Sequence, residues 1–166
     1  MATTHTIDRV YELLAQTVEY PTPALPDQAR DCVAALRIHH PRATRAMKQF
    51  AAYTEATPLA AQEELYTATF ELKPTCFPYI GFQLFGETYK RGEFLAALSA
   101  RYRESGCSAG PELPDHLGAV LRYLARTPDE DLVAEGLVPA LRRMVDQLEG
   151  NPYRDAMRAI LAVFRA

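Results

Sequence analysis

Residues 127–164 read TPDEDLVAEGLVPALRRMVDQLEGNPYRDAMRAILAVF, and their apolar side chains recur every three or four positions. That repeat is the pattern of an amphipathic helix. The first stripe consists of Val133, Leu137, Leu141, Met144, Val145 and Leu148, and the second of Tyr153, Met157, Ile160, Leu161 and Phe164. Gly150 lies between the stripes, where a helix would end. This part of the chain therefore predicts two consecutive helices.

Helix start signals recur along the chain as a capping residue followed by proline at the first helical position. They stand at Thr57-Pro58, Thr127-Pro128 and Asn151-Pro152. Thr127 also has Glu130 three residues later, which predicts a capping box, where each side chain bonds to the other residue's backbone N–H. We therefore expect helices to begin at these dipeptides.

Composition extends the helical prediction to the whole chain. Alanine and leucine supply 26 and 19 of the 166 residues, whereas valine and isoleucine together supply 12, a balance that favours helix over sheet. The predicted helices cover residues 5–19, 26–39, 42–54, 58–72, 78–88, 92–105, 114–126, 129–149 and 152–165. Because no repeat or long linker divides the chain, residues 1–166 are predicted to form a compact single-domain all-α bundle of about eight or nine helices.

Charge and cysteine content narrow the class of protein. The net charge is −3, from 18 basic and 21 acidic residues, so the chain as a whole has no basic field for nucleic acid or anionic lipid. Three widely spaced cysteines, Cys32, Cys76 and Cys107, suit reduced thiols better than a disulfide framework. The N-terminus lacks a secretory pattern, and no apolar run approaches the ~18 residues of a membrane span. We expect a soluble cytoplasmic protein without membrane insertion.

Aromatic residues are concentrated in one part of the chain. Eight of the 16 lie between Tyr66 and Phe94. Tyr66 and Phe70 are four residues apart, which favours packing on one helical face in the core. Phe82 and Phe85 stand where prolines and glycine break the helical pattern, so we expect some of these rings to reach the surface. An apolar patch on the surface of a soluble protein is typical of a binding site.

A second candidate site is the segment ELPDHL, where Pro114, Asp115 and His116 precede an apolar helical stripe. We expect the helix to begin at Pro114. On one interpretation, Asp115 then only stabilises the helix dipole, by ~0.3–1 kcal/mol. On the other, the proline fixes the direction of the carboxylate and the imidazole, which are presented at the rim of a binding groove.

No pattern of catalytic or metal-binding residues is evident. The four histidines do not share a short ligand spacing with a cysteine or with each other on one helical face, so no metal site is predicted. A thiol-dependent enzyme using Cys76 or Cys107 with His116 and Asp115 is an alternative, although neighbours in sequence rarely have the geometry of a triad. We predict no catalytic residues.

The segment RIHHPRATRAMK, residues 37–48, is locally basic. It leaves open a third class, a helical scaffold or nucleic-acid-binding protein. A solvated helix face explains the same residues more simply, because acidic residues dilute the charge elsewhere in the chain.

Four segments occur in the order found in a known family: EYPTPALP after the first helix, EELYTATFEL, LFGETYKRGEFLAALSARYRESG and ELPDHL. Together they resemble the nitrate reductase assembly chaperones, the NarJ branch of the TorD and DmsD redox-enzyme maturation proteins. The resemblance covers roughly residues 7–126. Its most specific part is ELPDHL joined to the segment upstream of it.

The resemblance implies an all-helical cytoplasmic chaperone with no enzymatic activity and no cofactor of its own. It would bind the N-terminal segment of an apo molybdoenzyme catalytic subunit and hold it until molybdenum cofactor is inserted. That subunit would be the nitrate reductase alpha subunit or a close relative. Molybdenum cofactor biosynthesis proteins are candidate further partners. The expected client-peptide-binding residues are Pro114, Asp115, His116, Tyr66 and Phe70 from the resemblance, and Phe82 and Phe85 from the aromatic cluster.

Overall fold

The protein folds into helices joined by short loops. The structure, a computed structural model, describes the backbone of residues 2–165 and the side chains of residues 9–165. Within that part of the chain there are nine helices. They are α1 (Ala2–Thr17), α2 (Leu25–Leu36), α3 (Pro41–Ala56), α4 (Leu59–Tyr66, continued by a π-helical turn at Thr67–Glu71), α5 (Ile80–Phe85), α6 (Tyr89–Glu104), α7 (Leu117–Arg126), α8 (Glu130–Leu132, a π-helical turn at Val133–Leu137, and Val138–Gln147) and α9 (Tyr153–Arg165). The all-α prediction is confirmed.

The core lies between helices that are distant in sequence. Helix α3 packs against α2 and α9, and α1 packs against α2 and α7. Helix α8 packs against both α9 and the short helix α5. Tyr153 at the start of α9 is fully buried, and its ring lies 5.2 Å from that of Phe50 in α3. The two helices predicted from residues 127–164 therefore contribute one wall of this core.

Two helices contain a π-helical turn that periodicity did not predict. In α8 the backbone N–H of Val138 bonds to the carbonyl of Val133, five residues earlier. Pro139 follows directly and has no N–H, and a proline ring inside a helix clashes with the carbonyl four residues before it. The wider turn absorbs this clash and lets the helix continue.

The start of α8 differs from the predicted capping box. The N-cap is Asp129, whose Oδ1 accepts a hydrogen bond of 3.1 Å from the N–H of Leu132. Thr127 therefore does not cap this helix, because the carboxylate two residues later satisfies the free N–H group. Asn151 does act near the start of α9, where its Oδ1 accepts from the N–H of Tyr153 at 2.9 Å.

Helices α5 and α7 are shorter than predicted, because their flanking residues pair with each other. The N–H of Ile80 donates to the carbonyl of Asp115 at 2.8 Å, and the N–H of Leu117 donates to the carbonyl of Pro78 at 2.9 Å. Tyr79 and His116 thus form an isolated antiparallel bridge. The prediction that α7 begins at Pro114 is wrong, since Pro114 and Asp115 form a turn, His116 pairs with Tyr79, and the helix begins only at Leu117.

Across the residues whose structure is described, no helix is both long enough and apolar enough to cross a membrane.

Candidate functional site

The bridge between Tyr79 and His116 brings together the loop before α5 and the loop before α7. A side-chain bond reinforces it, since the hydroxyl of Tyr102 in α6 donates to the carbonyl of Pro114 at 2.6 Å. Burial raises the pKa of Tyr102, so its hydroxyl stays protonated and can donate. The loop before α5 and helix α6 therefore fix the position of the ELPDHL segment.

Asp115 lies beneath this bridge and is completely buried. Its Oδ2 accepts from Nε of Arg91 at 3.1 Å, and its Oδ1 lies 3.4 Å from Nη2 of the same side chain. A carboxylate inside a protein needs such a partner, and the two-point contact fixes the direction of both groups. The expectation that the Asp115 carboxylate is presented at the surface is wrong, because Arg91 and the bridge cover it.

Gly81 makes room for this carboxylate. A Cβ atom at residue 81 would lie 2.6 Å from Oδ2 of Asp115 and 2.9 Å from Cδ1 of Phe94. Both distances are shorter than van der Waals contact. Any other residue at position 81 would therefore displace Asp115 or the ring of Phe94.

Arg91 connects the buried carboxylate to a row of aromatic rings. Its guanidinium carbon lies 5.4 Å from the ring centroid of Tyr79 and 5.7 Å from that of Phe82, both within the range of cation–π attraction. The ring of Phe77 lies 4.0 Å from that of Phe82 and is 37% exposed. Planar, delocalised arginine is the side chain best suited to stacking and ion pairing at once.

The outer edge of this row is polar. The hydroxyl of Tyr79 donates to Oε2 of the exposed Glu112 at 3.0 Å. Burial, followed by the bond to Glu112, raises the pKa of Tyr79 to about 12. We call the contiguous set the Phe82 surface, and its members are Phe77, Tyr79, Phe82, Arg91 and Glu112.

His116 is almost completely buried and serves as the N-cap of α7. Its Nδ1 accepts a hydrogen bond of 3.1 Å from the N–H of Gly118. Burial lowers the pKa of His116, although the carboxylates of Glu112, Glu19 and Asp115 act in the opposite direction. The neutral ring can accept this bond and the protonated ring cannot, so the cap and the low pKa are consistent.

Tyr66 and Phe70 lie in the core. Their rings are 4.9 Å apart, and both pack against the buried Tyr153, with centroid distances of 5.9 and 4.9 Å. The hydroxyl of Tyr66 donates to the carbonyl of Val18 at 3.2 Å. The packing expected from their spacing is found, and these rings are not within the Phe82 surface.

Phe85 lies at a separate concavity between α5, α6 and α8. Its ring is 5.8 Å from that of Phe94, and the two help to line a cavity of about 270 Å³. Gly136, in the π-helical turn of α8, also lines this cavity, and exposed Asp131 and Glu135 stand at it. Phe82 and Phe85 therefore project from one short helix to two neighbouring apolar features.

The buried thiol of Cys76 does not have the surroundings of a nucleophile. It lies 3.8 Å from Nε2 of Gln83 and 3.9 Å from the carbonyl of Phe77. Burial raises the pKa of Cys76 to about 12, which disfavours the reactive thiolate. Among the side chains of residues 9–165, no group of three or more histidine, cysteine or carboxylate residues is placed to hold a metal ion.

Two residues of this site escaped sequence reasoning. Arg91 gave no periodic signal, and Gly81 indicated only a break in a helix. Arg91 and Gly81 both lie close to the aromatic cluster in sequence, and a buried carboxylate predicted at Asp115 would have required a cation. That requirement is the signal that could have identified Arg91.

Comparison with known proteins adds a family and a fold. Residues 39–156, well over half of the chain, match the family model described as nitrate reductase delta subunit. The fold is similar to the crystal structure of a protein from Archaeoglobus fulgidus that is described as a redox enzyme maturation protein, with a TM-score of 0.67 and 19% identity over 96% of this chain and 94% of that chain. No curated protein is similar enough to this chain to count as a match.

Proposed function

The chain belongs to the nitrate reductase delta subunit (NarJ) family of maturation chaperones, and from that premise we propose that it binds the N-terminal segment of an apo molybdoenzyme catalytic subunit. The client on this proposal is the nitrate reductase alpha subunit or a close relative. The chaperone holds this client in the cytoplasm until molybdenum cofactor is inserted, and molybdenum cofactor biosynthesis proteins bind the complex at that stage.

The observation that carries the proposal is the Phe82 surface. Its aromatic rings are held in place by Arg91, yet Phe77 stays 37% exposed, and Leu113 beside Glu112 is 48% exposed. Exposed apolar groups that are fixed in position are typical of a surface that binds an apolar partner. The surface lies within the residues that match the family model.

The chemistry of this surface suits an amphipathic client segment. Such a segment presents apolar anchors at helical spacing to a hydrophobic groove. Phe77 and Phe82 offer the apolar contact, and the cavity beside Phe85 has room for a further anchor side chain. The carboxylates of Glu112 and Glu135 at the edges would attract basic groups that flank those anchors.

On this proposal the other predicted client residues do not contact the client but support the fold around the Phe82 surface. Asp115 and His116 position the surface through Arg91 and through the start of α7, and Pro114 accepts the bond that ties its loop to α6. Tyr66 and Phe70 hold α4 against the core. Pro114, Asp115 and His116 therefore act on client affinity through the geometry of the Phe82 surface, whereas Tyr66 and Phe70 act on the stability of the fold.

Co-purification from native cells tests the proposal. An affinity-tagged chain would be isolated, and the large proteins bound to it identified by mass spectrometry. We expect an apo molybdoenzyme catalytic subunit to be enriched with the parent protein and lost with Phe82→Ala. Absence of any such subunit, or equal recovery of its cofactor-loaded form, would contradict the proposal.

A further inference from the structure

A second concave surface shares no residue with the Phe82 surface. It is a groove of about 1010 Å³ between the first half of α3 and one face of α9, beside the loop at His39 and His40. Two arginines on each helix line it. They are Arg42 and Arg45 on α3, and Arg158 and Arg165 on α9.

The groove is strongly positive in a chain whose net charge is negative. Asp155 is the one carboxylate in the described lining, and it lies 3.9 Å from Arg158. Within residues 9–165, the side chains of Arg42, Arg45 and Arg165 form no ion pair with any carboxylate. Among the residues whose side chains are described, three guanidinium groups in one groove are thus left without an ion-pair partner.

The imidazoles of His39 and His40 lie at the end of the groove. Burial, together with the neighbouring ring of His39, lowers the pKa of His40. The floor is formed by small and aliphatic side chains, among them Ala46, Leu161 and Ala162. The groove therefore combines an apolar floor with cationic edges.

The spacing of the cations indicates the shape of the ligand. Arg158 and Arg165 are seven residues apart, so their backbones are separated by ~10 Å along α9. The lining from Arg42 to Gln49 extends over a similar length of α3. A single compact phosphate would need cations that converge on one point, whereas these are distributed along two rows.

The side chains of the groove also discriminate between kinds of anion. The aromatic rings in its described lining are the imidazoles of His39 and His40 at one end, so no row of rings follows the groove on which successive bases could stack. Proteins that bind single-stranded nucleic acid combine positive charge with such stacking platforms. An apolar floor with arginines three residues apart along one edge and seven apart along the other fits an amphipathic acidic helix better.

We propose that the groove between α3 and α9 binds an acidic amphipathic helix of a partner protein. Glutamate or aspartate side chains, spaced three, four and seven residues apart along that helix, pair with the four arginines. Its apolar face lies on the aliphatic floor. This site gives the RIHHPRATRAMK segment a role that is independent of client binding at the Phe82 surface.

Fluorescence anisotropy with a designed probe tests the site. The probe is a labelled 15-residue alanine- and leucine-containing helix with glutamates at that spacing, and its counterpart has glutamine at each glutamate. The protein variants are the double charge reversal Arg45→Glu with Arg165→Glu, and the double reversal Arg103→Glu with Arg126→Glu as a matched control, because Arg103 and Arg126 are exposed and lie outside the groove.

We expect saturable binding of the glutamate probe, at least tenfold weaker binding of the glutamine probe, and a similar loss of affinity in the groove double variant but not in the control double variant. Affinity should also fall as salt is raised. The proposal is overturned if the glutamate probe does not bind, if both probes or all three proteins bind alike, or if a 12-nucleotide single strand or inorganic pyrophosphate binds more tightly than the glutamate probe.

Discussion

The ion pair between Asp115 and Arg91 decides how the ELPDHL segment can act. The carboxylate is completely buried, whereas the arginine side chain keeps 17% of its surface exposed and contacts two aromatic rings. Arg91 therefore forms the part of the pair that a partner could touch. The negative charge of Asp115 acts indirectly, because the buried carboxylate fixes the direction of the guanidinium group of Arg91.

Replacement of Asp115 by asparagine should destabilise the fold. Removing one member of a buried pair costs ~3–5 kcal/mol, and we expect about 3 kcal/mol because Arg91 can turn partly toward water. Asp146→Asn is the matched control, since Asp146 is exposed on α8 and should change stability by less than ~0.5 kcal/mol. Urea denaturation measures both, and equal midpoints for the two variants would refute the structural role of Asp115.

His116 should make stability depend on pH. Its pKa is lowered in the folded protein, so the unfolded chain binds the proton more readily. The free energy of unfolding should therefore decrease as pH falls through ~6.5, the ordinary histidine value. His116→Asn keeps an acceptor for the N–H of Gly118 but cannot titrate there. We expect its Tm to fall less than that of the parent between pH 7.5 and 5.5, and superimposable profiles would speak against this account.

At the scale of elements, α5 is the helix that positions the candidate client contacts. It has only six residues, and yet Phe82 and Phe85 both project from it. A helix this short has no stability of its own, so its packing must hold it. Gly81 allows that packing, because its missing side chain leaves the space that Asp115 and Phe94 occupy.

Gly81→Ala tests this close packing. The added methyl group would lie 2.6 Å from Oδ2 of Asp115, and such overpacking costs ~1–3 kcal/mol. Gly92→Ala is the control, since Gly92 is in helix α6 with no atom within 4 Å of an added Cβ. For Gly92→Ala we expect the free energy of unfolding to rise by ~0.5–1 kcal/mol, because alanine has the higher helix propensity. In thermal denaturation the Tm should fall for Gly81→Ala and rise for Gly92→Ala. A stabilised Gly81→Ala protein would exclude the packing described.

Sequence periodicity predicted the long helices well, because their apolar stripes are local information. The predicted stretch 152–165 and the observed α9 differ by one residue at its start. Periodicity failed to predict the start of α7, because that start is set by a backbone hydrogen bond between Ile80 and Asp115, which are 35 positions apart. The π-helical turns and the Asp129 cap likewise depend on competition between neighbouring groups that a stripe does not record.

For the site, sequence reasoning identified the right segments and only part of their chemistry. Phe82 was expected to reach the surface and is half-buried, and the spacing of Tyr66 and Phe70 predicted core packing, which is found. The client-binding role that the resemblance implies for Tyr66 and Phe70 stays a prediction. Arg91 was missed because its partners are an aspartate 24 positions away and two rings before it. Such a cluster exists only after folding.

At the scale of the whole molecule, the two proposed surfaces separate two kinds of partner. The Phe82 surface is aromatic with an acidic edge, and the groove between α3 and α9 is cationic. Because they share no residue, charge reversal in the groove should leave client affinity unchanged. This independence allows each surface to be disabled alone and its effect on maturation measured in cells.

Phe70→Ala and Phe82→Ala should separate folding from binding. Phe70 is buried between Tyr66 and Tyr153, so its truncation should cost ~3–5 kcal/mol of stability and leave the affinity of the remaining folded protein intact. Phe82 is only half-buried, so its truncation should affect client affinity more than stability. Denaturation midpoints measured beside peptide affinities distinguish the two residues. The reverse pattern would place the client site in the core helices instead.

The most direct measurement is calorimetric titration of a client peptide, the first 30 or so residues of the catalytic subunit identified by co-purification, into the folded protein. We predict saturable binding to the parent, a loss of about tenfold or more with Phe82→Ala, as for a central interface residue, and no change with Ile38→Ala, an equally apolar side chain that is 65% exposed elsewhere. Equal affinity of the parent and Phe82→Ala would contradict the claim that the Phe82 surface binds the client.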